Sequence, residues 1–540
     1  MKTLNAKPKI IFLTGGVCSS VGKGVAISSV AIYLKELGYK VKVKKCDPYL
    51  NIDPGTLSPF QHGEVFVTAD GVETDLDIGH YERFTDQATK ETDYITSGKV
   101  YYAILNRERA GGYEGKTVQV IPHVIDQIKQ MILSQTDDLD YLLCEIGGTV
   151  GDLEASPYYE TIRQLRFTHS IALIHVAYMP YLSSAQEIKT KPIQHSLKEL
   201  LSLGLSPDIV ICRTEHAPES DDWKSKIASY ANLDKNRVIL GQNVDNTYQM
   251  LGMYNDNGLL EQISNTLNIE YKHTQVLDEY KKLQNIAQTA SSKIKIGIVG
   301  KYINLQDSYK SLQEALFYSA CLNDRKLDLV WIDAENQTEL DQDLDGIVIP
   351  GGFGLRGIDG MIKSVECARK RNLPCLGICL GMQVMAVEAA RNLANITDAC
   401  SAEWGAGTHI IDLIDKVLPE NNERTQATIT NSIRTGEYTS CVSGKMQQIY
   451  NAKEIRERFR HRYEFNKQYQ ALLEEKGVSF VGFTYIGAKE ARFTDCISYD
   501  ANTFHIGVQF HPEFTAKPLT GHPLFNAFIA TCAFKDYLKY

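Results

Sequence analysis

Two clusters of residues in this 540-residue chain have the types and spacing of chemistry. In the first, the apolar run Ile10-Ile11-Phe12-Leu13 feeds Thr14-Gly15-Gly16-Val17-Cys18-Ser19-Ser20-Val21-Gly22-Lys23-Gly24, and Val30, Leu34 and Leu37 then recur at helical spacing. A strand, a glycine-rich turn and a helix start converge backbone N–H groups and the positive end of the helix dipole on one point. Lys23 can reach the terminal oxygens of a polyphosphate held there. A glycine-rich turn can also be purely steric, but the serine pair and Lys23 inside it favour phosphate. Five residues separate Gly16 from Gly22, one more than in a standard P-loop. Gly24 stands where a Ser or Thr would ligate magnesium, so metal ligands are expected elsewhere.

The second cluster is Gly377-Ile378-Cys379-Leu380-Gly381-Met382-Gln383, a cysteine between glycines where a strand-like run meets a helical stretch. The glycines permit a sharp turn and the helix start favours a thiolate, the logic of a nucleophile elbow. Cys379 is therefore expected to be exposed rather than buried. Its base is expected to be His511 in His511-Pro512-Glu513, with Glu513 orienting the imidazole. Backbone N–H groups near Gly352 and Leu380 are candidates for an oxyanion hole. A single cysteine is more often packing; three such segments together argue against that.

Two carboxylates stand out beside the first cluster. Asp77, in Glu73-Thr74-Asp75-Leu76-Asp77 with His80 nearby, is a magnesium candidate, because hard cations beside phosphates take one or two carboxylates. Glu145 ends the apolar run 139–146, which places it at the carboxyl edge of a parallel sheet, where ligands bind. Strand-like runs at 39–46, 139–146, 170–176, 208–212 and 237–240 alternate with helical intervals, a parallel α/β pattern. Between two of them the lysines of 187–195 could cradle a second anion. Residues 267–292 read as an interdomain linker with a charged helical stretch reaching Ser292, after which 295–300, 329–332 and 346–349 restart a strand series. The division expected is 1–266, 267–292 and 293–540.

The 57 basic and 66 acidic residues, net charge −9, do not suit nucleic acid or an anionic membrane as partner. Residues 1–9 lack an apolar signal core, and no run nears the ~18 apolar residues of a membrane span, so a cytoplasmic protein is expected. The 12 cysteines are dispersed without zinc spacing, and reduced thiols are expected.

These residues closely resemble the CTP synthase family, and the second half resembles class I glutamine amidotransferases. The carriers are Gly15-Gly16-Val17, Ser19-Ser20, Gly22-Lys23-Gly24, Asp47-Pro48-Tyr49, the stretches 58–65 and 145–152, Lys189-Thr190-Lys191-Pro192, residues 377–383, His461-Arg462-Tyr463-Glu464 and His511-Pro512-Glu513-Phe514. The resemblance implies an α/β fold in two parts, a P-loop-type parallel-sheet amidoligase domain and a C-terminal α/β class I glutaminase domain. It implies that MgATP phosphorylates the 4-oxygen of UTP and that ammonia from glutamine displaces the phosphate to give CTP. Ser20, Val21, Gly22, Lys23, Gly24, Val25 and Asp77 become ATP contacts, with Lys23 catalytic, and Asp77 and Glu145 the Mg2+ ligands. Ser19, Lys189, Thr190, Lys191, Pro192, Ile193, Gln194 and Lys226 would hold UTP. Ser19, Asp152, Leu153 and Glu154 would bind CTP as feedback inhibitor. Gly352, Leu380, Gly381, Met382, Gln383, Glu403 and Arg462 would hold glutamine beside the catalytic Cys379, His511 and Glu513. GTP as activator, a homotetramer and filaments are further implications.

The chain departs from the family pattern at Ala110-Gly111-Gly112-Tyr113, across 404–447, and at Leu355, where an aromatic is common in a loop linked to GTP activation. Three rival readings stand beside this one: a carboxylate amide ligase fused to a glutaminase, a partitioning ATPase, and a filament protein with relict sites.

Overall fold

The computed structural model describes residues 7–56, 63–244, 246–303, 305–336, 339–417, 433–486 and 491–534. The chain forms two compact units, one of Met1–Thr56 with Asp77–Gln284 and one of Leu57–Leu76 with Asn285–Tyr540.

The first unit is a seven-stranded sheet in the order Val238–Gln242, Ile209–Thr214, Ile171–Tyr178, Lys9–Gly16, Tyr141–Ile146, Val41–Asp47 and Tyr94–Thr96. Every pairing is parallel. Helices cover a parallel sheet on both faces, so its central strands read as unbroken apolar runs; Ile10, Ile11, Phe12 and Leu13 have no accessible surface. The connections after Lys9–Gly16 first lead to one side of that strand and later to the other. Its carboxyl end is therefore the topological switch point, where a crevice for ligands forms.

The second unit carries a nine-stranded sheet. Lys326–Asp333, Lys293–Gly300, Gly346–Ile349, Cys375–Ile378 and His505–Val508 run parallel, and Ala491–Tyr499, Val478–Ile486, Arg434–Val442 and Glu454–His461 continue it antiparallel. Cys375–Ile378 lies directly beside His505–Val508, with Ile378 level with Val508. Two segments far apart in sequence thus end side by side at one sheet edge.

Two features differ from the sequence expectations. The helical stretch expected in the linker is the helix Gln275–Thr289, but most of it belongs to the first unit, whose boundary falls within it after Gln284. Val276, Leu277, Tyr280 and Leu283 are buried, and Tyr280 packs on Phe84 and Tyr248, so an apolar seam lies under the charged residues that suggested a linker. Secondly, residues 57–76 belong to the second unit although they sit early in the chain. Of the carriers of the resemblance, 58–62 lie outside the described residues, as do 418–432 of the divergent region.

The antiparallel half of the second sheet encloses a charge. Arg434 is fully buried, donating to Asp495 Oδ1 at 2.8 Å and Thr484 Oγ1 at 2.7 Å. Its guanidinium lies 3.6 Å from the Phe459 ring centroid and 4.4 Å from that of Phe493. Asp495 also accepts from the Ser440 and Thr484 hydroxyls at 2.6 Å each. Removing the guanidinium leaves a buried carboxylate uncompensated. Arg434→Met is expected to cost about 3–5 kcal/mol, read as a lowered urea midpoint, with part of the loss recovered in Arg434→Met/Asp495→Leu.

Candidate active sites

In the first unit the loop between strand Lys9–Gly16 and helix Lys23–Glu36 turns through Val17 (φ 79), Ser20 (φ 55) and Gly22 (φ 86). Positive φ at a β-branched valine and at a serine is strained, and such strain persists only where the surroundings enforce it. Ser19 and Ser20 are exposed, while Val21, Lys23, Gly24 and Val25 are buried, so the valines and Gly24 can offer only backbone to a ligand. Lys23 Nζ donates to the Gly148 carbonyl at 3.0 Å. Gly15 lies so close beneath it that a Cβ there would meet Nζ at 2.8 Å.

Behind the loop is a buried carboxylate group. Lys45 and Glu145 are level on neighbouring parallel strands, and the Lys45 ammonium reaches Asp77 Oδ2 at 2.5 Å, Glu145 Oε1 at 3.2 Å and Asp47 Oδ1 at 3.6 Å. Tyr81 donates its hydroxyl to Glu145 Oε2 at 2.5 Å. Burial opposes ionisation of Asp77, but Lys45 outweighs it and holds the carboxyl down at about 2. Burial pushes Asp47 and Glu145 up, with Lys45 opposing. Asp47 Oδ2 is buried with no hydrogen-bond partner. Three carboxylates facing one ammonium, one of them with an orphaned oxygen, suit a divalent cation. Among the described residues no cluster of three or more His, Cys, Asp or Glu could hold a metal, so a cation here needs oxygens from phosphate or water.

Gly24 now has a structural reason. A Cβ on it would sit 2.2 Å from Asp77 Oδ1, so the space that a P-loop hydroxyl fills elsewhere is taken by the Asp77 carboxylate. Lys45 and Asp47 were missed as site residues from sequence. A lysine in Val41–Asp47 reads as surface until the register with Glu145 is known.

The remaining nucleotide candidates divide into two groups. Lys189, Thr190, Lys191, Pro192, Ile193 and Gln194 open the helix Lys191–Ser202, which shares an apolar core with the helix Asp222–Ala231 bearing the exposed Lys226. Gln194 Nε2 donates to Thr190 Oγ1 at 3.0 Å, and Lys189 is ion-paired with Glu187. Asp152, Leu153 and Glu154 are exposed, and Asp152 Oδ2 accepts from the amide and the hydroxyl of Thr149 at 2.8 Å each. Val150 N–H donates to the Gly15 carbonyl at 2.8 Å, tying that segment to the glycine-rich loop. His175 bridges the Thr14 and Ser196 hydroxyls at 2.9 and 2.8 Å. Burial, and then Lys23, lower its pKa to about 3, so it is neutral.

In the second unit Cys379 has φ 53 and ψ −101 between strand Cys375–Ile378 and helix Leu380–Asn392, the sharp elbow expected. A Cβ on Gly381 would lie 2.1 Å from the Ile349 carbonyl, and one on Gly377 2.7 Å from backbone atoms of Gly381. The expectation of an exposed thiol was wrong: Cys379 is only 4% accessible. Its sulfur lies 3.6 Å from the Arg460 carbonyl and accepts from Gln509 Nε2 at 3.6 Å. Gly351 covers both Cys379 and His511, since a Cβ there would meet His511 Cε1 at 2.9 Å and Cys379 Cβ at 3.7 Å.

His511 Nδ1 is 2.7 Å from Glu513 Oε1, and its Nε2 is buried without a hydrogen-bond partner. Burial works against a charged ring, but Glu513 and then Cys379 outweigh it and raise the pKa to about 10. The imidazole is therefore protonated at neutral pH and can stabilise a thiolate. Leu380, Gly381 and Met382 open the helix, where N–H groups have no intrahelical acceptor, while Gln383 N–H already donates to the Cys379 carbonyl at 3.3 Å. Gln383 Nε2 donates to the Tyr463 carbonyl at 3.1 Å and to Gln509 Oε1 at 3.3 Å. Glu403 Oε1 accepts from Gly354 N–H at 2.8 Å, Gly352 packs on Leu380, and Arg462 is exposed. Lys301, which donates to the carbonyls of Phe353 and Gly354, has its pKa lowered to about 8 by burial, with Glu403 opposing.

A parallel sheet with a glycine-rich loop at its switch point, joined in one chain to a cysteine elbow beside a His–Glu pair, has the parts of a glutamine-hydrolysing carbon–nitrogen ligase. Residues 9–269 match the family described as CTP synthase N-terminus and residues 304–531 the class-I glutamine amidotransferases. The chain is 43% identical over 538 residues to a CTP synthase of Zymomonas mobilis subsp. mobilis, covering 97% of this chain and 98% of that protein. It is 45% identical over 530 residues to a CTP synthase of Hydrogenobaculum sp., covering 96% and 97%. A solved glutaminase domain of Trypanosoma brucei CTPS with bound acivicin is 30% identical, with a TM-score of 0.40, covering 45% of this chain and 94% of that one. The chain belongs to the CTP synthase family. Family members use ATP, UTP and glutamine.

Two measurements follow from this geometry. Gly24→Ser is expected to displace Asp77 and to lower ATP-dependent turnover with either glutamine or ammonium as nitrogen donor, while glutamine hydrolysis persists. In Glu513→Gln the first charge that raises His511 is gone, so the ring loses its proton at lower pH. The basic limb of the glutaminase pH–rate profile is expected to move down by about one unit or more.

Proposed function

We propose that this chain aminates UTP to CTP with ATP and glutamine-derived ammonia, with the residue roles that follow. The observation that carries the reading is the pair of complete centres in one chain: the Lys23, Lys45, Asp47, Asp77 and Glu145 group behind a strained glycine-rich loop, and Cys379 with His511 and Glu513. Ser20, Val21, Gly22, Lys23, Gly24 and Val25 cradle the ATP phosphates, and Lys23 neutralises charge during phosphoryl transfer to the UTP 4-oxygen. Asp77 and Glu145, with Asp47, would hold Mg2+, which when bound supplies further neutralisation of phosphate charge.

Phosphorylation is needed because the 4-oxygen of a pyrimidine is a poor leaving group; ammonia then displaces the phosphate. Lys189, Thr190, Lys191, Pro192, Ile193, Gln194 and Lys226 bind UTP. Ser19, Asp152, Leu153 and Glu154 bind CTP as feedback inhibitor.

At the second centre the Cys379 thiolate attacks the glutamine amide carbon, and the backbone N–H groups near Gly352 and Leu380 stabilise the oxyanion. His511 gives its proton to the departing ammonia, and water then hydrolyses the thioester. Gly381, Met382, Gln383, Glu403 and Arg462 hold glutamine. Free ammonia is mostly protonated near neutral pH, so the ammonia released from glutamine is used before it exchanges with the medium. The exposed aliphatic Leu355 supports a weakened response to GTP, because an aliphatic chain cannot stack on a base as an aromatic does. The functional assembly is a homotetramer, with filaments as a higher state. No helix among the described residues is long and apolar enough to cross a membrane, in keeping with a cytoplasmic enzyme.

The test is CTP formation from UTP and ATP with glutamine or ammonium, for the wild type and Cys379→Ala. The variant is expected to lose the glutamine-driven reaction and keep the ammonium-driven one. A wild type that hydrolyses glutamine but makes no CTP from either donor would overturn the UTP assignment.

A further inference from the structure

Residues 63–76 form a short arm built around a hairpin of Phe66–Val67 and Glu73–Thr74, and every anchor of this arm described below lies in the second unit. Glu64 Oε2 accepts from the Ser311 amide at 3.0 Å and its hydroxyl at 2.6 Å. Glu437 N–H donates to the Ala69 carbonyl at 3.0 Å, and Thr435 Oγ1 to the Gly71 carbonyl at 2.9 Å. Gly71 has φ 90, and a Cβ on it would lie 2.9 Å from the Thr435 carbonyl, so the turn is fitted to this strand.

Where the arm ends matters more than how it is held. Strand Glu454–His461 touches the catalytic pair through backbone and the arm through side chains. The Arg458 carbonyl accepts His511 N–H at 2.8 Å, while Arg458 Nη1, buried, donates to the Val67 carbonyl at 2.9 Å. The Arg460 carbonyl lies 3.6 Å from Cys379 Sγ, while Arg460 Nε donates to Glu73 Oε1 at 2.6 Å and its guanidinium lies 5.1 Å from the Phe353 ring centroid. A second line of contact runs through rings: Phe66 meets Phe514 edge-on at 5.1 Å, and Phe514 stacks on His511 at 4.9 Å and 16°.

We infer that this arm is a positioning element of the glutaminase: Glu73, through Arg460, and Phe66, through Phe514, hold the nucleophile and its base in register. The glutaminase centre is then completed by a segment that the sequence carries within its ligase half. Neither residue touches the reacting atoms, so both act on the rate through the placement of Cys379 and His511. The inference rests on the glutaminase reading of that centre.

The test uses the full-length chain and steady-state glutamine hydrolysis. Glu73→Ala is expected to lower kcat about 10- to 100-fold, the scale of a misplaced reacting group, with KM changed less than about twofold. Arg460→Ala should lose as much, and Glu73→Ala/Arg460→Ala no more than either single variant, since one ion pair is being removed. Phe66→Leu tests the ring contacts and carries the same criterion if Glu73→Ala does not fold. A folded Glu73→Ala with wild-type kcat, or with a loss confined to KM, overturns the inference. Failure of the wild type to hydrolyse glutamine, or retention of hydrolysis by Cys379→Ala, would instead overturn the glutaminase reading itself.

Discussion

The second unit depends on a backbone conformation that a side-chain-bearing residue avoids. Cys379 holds φ 53, at a cost on the order of 1–3 kcal/mol that only the surrounding structure can offset. Its amide donates to the Val508 carbonyl at 2.7 Å, which extends the pairing of two parallel strands by one residue into the turn. Gly377 and Gly381 then bring strand, helix and the Ile349 carbonyl closer than any Cβ permits. Because the adjacent strand leads three residues later to His511, the same hydrogen-bond ladder that forces the elbow also delivers the base to it.

The first unit adds absent atoms to the strain of its glycine-rich loop. Gly24 leaves room for the Asp77 carboxylate, and Gly147 does so for Asp47, since a Cβ on it would lie 2.2 Å from Asp47 Oδ1. Lys45 is what allows three carboxylates to collect in a buried place at all. It rises from the strand beside Glu145 and supplies a counter-charge in their midst. A phosphate site needs carboxylates for its cation and ammonium groups for its oxygens, and this arrangement stores both while each neutralises the other.

Much of this was legible before any coordinates. The central strands of both sheets are apolar on both faces and so appear as continuous runs, and Cys379 with His511 is marked by the glycines and by the proline that follows the histidine. What was not legible depended on register or distance. Lys45 looks like a surface lysine unless its level with Glu145 is known, and the seam of the helix Gln275–Thr289 is masked by Glu279, Lys281 and Lys282. The expected exposure of Cys379 failed because an elbow sets where a thiol points, whereas its cover comes from Gly351, Gln509 and the strand bearing Arg460.

Placing part of one catalytic unit inside the sequence of the other has a physical consequence. The chain leaves the first unit after Thr56 and re-enters it at Asp77, so the arm is tethered at both ends to the unit that holds the carboxylate group. Glu73, which meets Arg460, belongs to the second unit, and Asp77, which meets Lys45, to the first. The tether keeps the arm at a high effective concentration beside its strand without a large interface of its own. A few contacts, one ion pair and one edge-on aromatic contact among them, can then hold what a free peptide of this length would not.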